Sequence, residues 1–259
     1  MKKFLLIMFG FAGLALGGMS LAQVTDGSPT DATPAQFEQW VQASRTQVEL
    51  KKSKPDFSVA VVQRLQAGKF VTDETILTTA TALSYYEQVQ AAAKAKGEAE
   101  YTFDQTLGFI GQVEPFVYGR SLLEAQLLMK KAFCFTTSRN RKKAIDAYRQ
   151  TALLLEKLHL QVDQQRIMNL NELAETLFAE GQKAEADKLF LEVMSYPWYN
   201  VTGNPEALQN LRSHYYRAAR GLINCRRDNL NALKEISLVP ATQEELKPIL
   251  EKAIADAKQ

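Results

Sequence analysis

The sequence predicts an all-α protein, and three observations carry that reading. Apolar residues recur at i, i+3, i+4 and i+7 through successive stretches from residue 34 onward. No sustained period-2 alternation marks a half-buried strand. Helix starts and stops punctuate the stretches, at Thr33-Pro34, Gly68, Asp73, Gly181, Pro197 and Thr242.

The amino end stands apart from this pattern. Met1-Lys2-Lys3 is a short cationic stretch, Phe4 to Met19 is an apolar run with several glycines, and Ser20-Leu21-Ala22 places small residues at −3 and −1 of a cleavage point. Residues 1–22 therefore read as a secretory signal peptide, with a mature chain beginning at Gln23 that is periplasmic or secreted. The other reading is an uncleaved anchor, but the run is shorter than the ~20 residues a spanning helix needs, and its glycines suit a cleavable segment. No Cys follows the run, which disfavours lipid attachment by the bacterial lipoprotein route. Without Lys2 and Lys3 the 31 cationic residues fall to 29, equal to the 29 acidic ones. A neutral chain has no global pull toward nucleic acid or an anionic membrane, so no nucleic-acid partner is expected. No second apolar run reaches spanning length, so no transmembrane segment is expected after cleavage.

The elements follow in order. Residues 23–33 hold turn formers with little to bury and read as a flexible lead-in. Residues 34–120 read as an N-terminal helical region. Thr33 is an N-cap with Pro34 at the first helical position, and Phe37, Trp40, Val41, Ser44 and Val48 define one face. A second helix opens near Pro55 and Asp56, carries Phe57, Val61, Val62 and Leu65, and ends at Gly68. Asp73 caps a third helix through Ile76, Leu77, Ala80, Leu83, Tyr86 and Val89, which decays into an alanine-rich tail at 91–97. Gly108, Gly111, Pro115 and Gly119 break up 98–120, where a short helix and a connector are expected. From Ser121 the helices lengthen: Leu122 to Phe135, Lys142 to Leu158, Gln164 to Ala179, Lys183 to Met194, Pro205 to Cys225 and Asn229 to Ile236. Thr242 to Glu245 has the spacing of a capping box for a last helix, which Pro248 is expected to bend.

Residues 170–193 carry the most specific pattern. Leu170, Leu173, Ala174 and Leu177 precede Gly181, and Ala186, Phe190 and Val193 follow it. The two alanines let a pair of helices approach closely while Leu177 and Phe190 fill the space beside them. This resembles a tetratricopeptide repeat. An earlier hairpin fits less well, with Leu128, Ala132 and Phe135 before the turn and Ala144, Tyr148 and Thr151 after it. There Lys131 departs from the usual Leu and Arg139 replaces the turn Gly. Ala144 and Ala186 are 42 residues apart, longer than the consensus period of ~34. A third hairpin, Leu211 to Ile236, carries Ala218, Ala219, Leu222 and Ala232 about one residue out of register. The resemblance implies that 121–259 forms antiparallel hairpins stacked as a right-handed array, closed by a C-terminal helix. An ordinary helical bundle with similar small-large patterning remains the alternative. In the stacked array a whole hairpin separates Cys134 from Cys225, so no disulfide is expected between them, although an oxidising compartment favours one.

Residues that carry chemistry are sparse. Only His159 and His214 are present, and neither has a second ligand at metal spacing, so no metal and no cofactor are expected. Helix-end or core placement accounts for both. Cys225 and His214 are eleven residues apart on one helix, about 16 Å by rise, too far for a nucleophile pair. No phosphate-binding glycine loop and no GxSxG elbow occurs, and no catalytic residue is assigned. Two basic clusters are present, Arg139, Arg141, Lys142 and Lys143, then Arg212, Arg217, Arg220, Arg226 and Arg227. They are either solvated surface with acidic neighbours or a site for an anionic partner, with Arg212, Arg217 and Arg220 as the candidate patch. Tyr196-Pro197-Trp198-Tyr199 is either an interaction spot or packing under the next hairpin.

The resemblance implies a non-enzymatic scaffold or adaptor for a protein or peptide partner in the cell envelope. By position, Met168, Asn171, Glu175, Phe178 and Ala179 would line its concave face. Two other classes stay open. An envelope hydrolase acting on cell-wall polymer would need two carboxylates converging in a cleft, and a small-ligand carrier would need a closed bundle.

Overall fold

The structure is a computed structural model that describes residues 32–49, 57–94, 104–158, 163–197 and 205–258. These form eleven α-helices and no strand: α1 (Pro34–Glu49), α2 (Phe57–Gln66), α3 (Asp73–Lys94), α4 (Asp104–Val117), α5 (Ser121–Thr137), α6 (Arg141–Lys157), α7 (Asp163–Ala179), α8 (Lys183–Ser195), α9 (Pro205–Cys225), α10 (Leu230–Lys234) and α11 (Gln243–Asp256). A 3-10 turn, Pro240–Thr242, precedes α11. The protein is all-α. The leader and its cleavage point, most of the lead-in, the start expected at Pro55 and Asp56, His159, Trp198 and Tyr199 lie outside the described residues.

A capping box opens α1. Thr33 Oγ1 accepts from Gln36 N, and Gln36 Oε1 accepts from Thr33 N at 3.0 Å. Phe37 and Val41 face a core that also takes Phe57, Val61, Val62, Ile76, Ala80 and Leu83. Arg64 is buried in this core. Its guanidinium lies 4.5 Å from the centre of the Phe37 ring and donates to the Ala32 carbonyl at 2.8 Å. The cap of α3 is Thr72 rather than Asp73: Thr72 Oγ1 accepts from Thr75 N at 3.1 Å, and Asp73 is the first helical residue. Thr72 also donates to Glu38 at 2.8 Å, and Thr75 bonds the same carboxylate, so one acidic side chain ties α1 to the start of α3.

Of 98–120, where a short helix and a connector are expected, residues 98–103 lie outside the described residues and 104–117 run unbroken as one helix. α4 passes through Gly108, Gly111 and Pro115, and only Gly119, at φ 83°, ends it. Each glycine costs a helix about 1 kcal/mol. Burial of Thr106, Phe109, Ile110, Val113 and Val117 along one face outweighs that. α5 is shared between clusters. Leu123 and Leu127 belong to the N-terminal core, Ala132 to the C-terminal core, and Ala125 and Met129 pack with Leu155 between them.

From α5 onward each helix packs on the next: α5 on α6, α6 on α7, α7 on α8, α8 on α9, with α7 also against α9. The residues of the sequence pattern are core residues. Leu170, Leu173, Ala174, Leu177, Ala186, Phe190 and Val193 are all buried, as are Ala144, Tyr148 and Thr151. The chain turns between α7 and α8 at Gly181, φ 80°, and between α5 and α6 at Arg139, φ 62°. Both turns close with the same pair of bonds, Gln182 N to Leu177 O and Gly181 N to Phe178 O, then Asn140 N to Phe135 O and Arg139 N to Thr136 O. This is the Schellman arrangement, which satisfies carbonyls left open at a helix end. At the α8–α9 contact the Phe190 ring lies over Gly221, where a Cβ would come within 2.3 Å of the ring.

The third hairpin departs from expectation. Its second helix, α10, is only five residues long, capped by Asn229 accepting from Ala232 N at 3.1 Å. The chain then crosses back, with Val239 N donating to the buried Tyr215 hydroxyl at 2.9 Å, and α11 packs on α9. The capping box expected at Thr242 does not close: the Thr242 side chain makes no cap bond to α11, and its hydroxyl donates to Val239 O. α11 continues through Pro248. Cys134, buried in α5, and Cys225, half-buried at the end of α9, are not joined by a disulfide.

Candidate partner-binding surface

The residues expected along the concave face sit on α7, and the structure divides them. Met168 is half-buried against the Ala125, Met129 and Leu155 cluster, and Phe178 is half-buried against the C-terminal core. Ala179 is exposed at the helix end. Asn171 is fully buried. Its amide donates to the His214 carbonyl at 2.8 Å, and the His214 Nδ1 lies 3.4 Å away. Glu175, half-buried, belongs to an ion-paired cluster with α9. Arg217 contacts Glu175 at 2.8 and 3.0 Å and Glu172 at 2.7 Å.

These polar contacts lay α9 along α7. Burial, and then the charge of Arg217, push the His214 imidazole down to about 4, so it is neutral at ordinary pH. Burial alone would lower the Arg217 guanidinium, but its hydrogen bonds to Glu175 and Glu172 and their charges outweigh that and raise it. On the other side of α7, Asn169 is buried and donates to the Tyr148 carbonyl of α6 at 3.0 Å. α7 therefore presents one amide to α6 and one to α9. Asparagine is a poor helix former, and two of them flanking Leu170 are the sequence signal for such a role.

The three arginines of the candidate basic patch have three different surroundings. Arg217 is paired as above. Arg212 pairs with Glu245 of α11 at 2.9 Å. Arg220 is exposed and lies 5.7 Å from the centre of the Tyr216 ring. In the same cluster Arg226 grips Asp187 with two bonds of 2.7 and 2.9 Å, joining α9 to α8. In the first cluster Arg141 pairs with Glu180 at 3.2 Å, and Lys143 lies over the Phe135 ring at 5.7 Å. Acidic neighbours thus accompany much of this basic surface. Arg212 also lines an open depression of about 280 Å³ with Pro205, Leu208, Gln209 and Ala241.

Nucleophiles are subdued. Burial, and then Asp187, push the Cys225 thiol up to about 11, so it is protonated at neutral pH. Among the described residues, no group of three His, Cys, Asp or Glu side chains is placed to hold a metal ion. Among them, too, no helix is long and apolar enough to cross a membrane. Sequence reasoning passed over Lys130 of α5, whose pKa is lowered by burial and only partly restored by Cys134. No known protein family, curated protein or solved structure matches this chain.

Proposed function

We propose that the chain is an exported scaffold or adaptor built on tetratricopeptide-like hairpins, which holds a protein or peptide partner and performs no reaction of its own. The observation that carries this reading is the register shared by two hairpins. Arg139, Ala144, Tyr148 and Thr151 recur 42 residues later as Gly181, Ala186, Phe190 and Val193, in the same turn and with the same burial from Ala144 onward. Successive units that cannot bury their apolar faces alone stack into an extended surface suited to binding. On that surface Met168, Glu175, Phe178 and Ala179 offer a mixed apolar and acidic strip, with Asn171 supporting it from beneath and Arg217 setting the Glu175 rotamer. The leader pattern at residues 1–22 supports export.

A photo-reactive phenylalanine analogue placed at Phe178 or Ala179 tests the partner surface. Discrete adducts at these sites, absent when the analogue replaces Lys188 on the outer face of α8, are expected. Equal labelling at all three sites, or none, contradicts the reading. Export is tested by N-terminal sequencing, with Gln23 expected and an intact Met1 on membrane-bound chain contradicting it.

A further inference from the structure

Packing leaves one face of α5 accessible. Leu122, Gln126, Lys130, Phe133 and Thr137 recur at four- and three-residue steps, so they share that face. Leu122 is 41% and Phe133 37% exposed, Thr137 is exposed, and Gln126 and Lys130 are half-buried. On one side of the face run Ala125, Met129 and Ala132, and on the other Leu123, Leu127 and Cys134, all buried. In the first row, Ala125 and Met129 pack with Leu155 and Met168, and Ala132 belongs to the C-terminal core. In the second, Leu123 and Leu127 belong to the N-terminal core. The face is therefore a seam along α5 between the two cores. From Leu122 to Phe133 it covers a rise of about 16 Å.

Lys130 sits in this seam without a counter-charge. It makes no ion pair and no hydrogen bond. Its neighbour in the chain, Lys131, pairs with Glu114 of α4 at 2.5 Å. Every other lysine whose side chain is described is exposed or ion-paired. An ammonium taken out of water without an anion is costly, and burial accordingly lowers the pKa of Lys130, with only the Cys134 thiol acting against it. A carboxylate brought to the ammonium would recover that cost. We propose that the seam is the docking site of an acidic peptide segment, whose Asp or Glu side chain pairs with Lys130 while apolar side chains on either side of it meet Leu122 and Phe133. The order of the seam, apolar, cationic, apolar, dictates the reverse order in its occupant, and three turns of helix set its length. The inference stands on α5 alone, so the strip on α7 can fail its own test without touching it.

Short random peptides displayed on phage, selected against the full chain, test this. The selected pool is expected to carry Asp or Glu between apolar residues. Lys130→Gln should weaken its binding about tenfold or more, Lys130→Arg should keep most of it, and Lys142→Gln, exposed on α6, should change nothing. Replacing the selected acid by its amide should cause the same loss, and that change combined with Lys130→Gln should lose no more than either alone. Lys130→Gln removes an unpaired ammonium and should melt no lower than wild type, which separates lost binding from lost folding. The peptide change and Lys130→Arg read the pairing even if that variant folds poorly. A pool with no preference for acids, a pool indifferent to Lys130→Gln or to the amide, or no enrichment at all would overturn the proposal.

Discussion

Arg139 and Gly181 hold corresponding places in the α5–α6 and α7–α8 hairpins, and both take the left-handed backbone, at φ 62° and 80°. Glycine does this at no steric cost, whereas a residue with a Cβ spends about 1–2 kcal/mol. The first hairpin adopts the turn regardless. α5 packs on α6 as α7 packs on α8, and Ala132, Ala144, Ala174 and Ala186 are all inaccessible to solvent. Helix packing in the hairpin offsets that cost. The hairpins differ in what covers them. α9 lies on the second through His214, Asn171 and Arg217, whereas the first is tied to the N-terminal region through α5.

Acid should separate the two most strongly. His214 titrates near 6.5 in the unfolded chain but at about 4 in the fold. Above pH 6.5 it is neutral in both states and stability is unaffected. As pH falls below 6.5 the unfolded chain takes up the proton and the folded chain does not, so stability declines down to about pH 4. The difference is roughly 3 kcal/mol. Denaturant melts of wild type and His214→Leu across pH 7 to 4 check this. The variant should lose distinctly less stability over that window, and parallel pH profiles would show that His214 does not couple to the fold.

Overpacking should treat the hairpins alike. Ala144→Leu and Ala186→Leu each insert three carbons at a fully buried helix contact and should each cost about 1–3 kcal/mol. Thermal melts compare them directly. A cost at Ala186 with none at Ala144 would break the equivalence of the two units.

Glycines in α4 give a smaller effect of opposite sign to those in turns. A Cβ at Gly108 or Gly111 meets nothing within 4 Å, and both have ordinary helical backbone. Gly108→Ala and Gly111→Ala should therefore each stabilise by about 0.5–1 kcal/mol. A loss at either position in the melt would mean that the outer face of α4 is covered.

What was legible in the sequence follows the range of the interaction. Leu173, Ala174, Leu177, Ala186 and Phe190 were identifiable from spacing alone, because a helical face is written at three- and four-residue intervals. The bounds of α9 and the stops at Gly68 and Gly181 were legible for the same reason. Capping was half legible. The S/T-x-x-E/Q spacing occurs at both Thr33 and Thr242, but only the Thr33 box closes, whereas Thr242 emerges from a 3-10 turn at φ −122°, ψ 0°. α4 hid behind the poor helix propensity of its glycines and proline, which core burial overrides. Asn171 to His214 spans 43 residues, and Arg120 to Asp73 spans 47, so no local pattern announced either contact.

The equivalence of the two hairpins is tested most directly by exchanging their turn residues. Alone, Arg139→Gly should stabilise by about 1 kcal/mol and Gly181→Arg should destabilise by about as much. For a chain of this size each is a shift of about 2–4 °C in Tm. The double exchange, Arg139→Gly with Gly181→Arg, should return to the wild-type Tm. A double variant that melts well below wild type would mean that the two turns are not interchangeable, and the repeat account of this fold would fail.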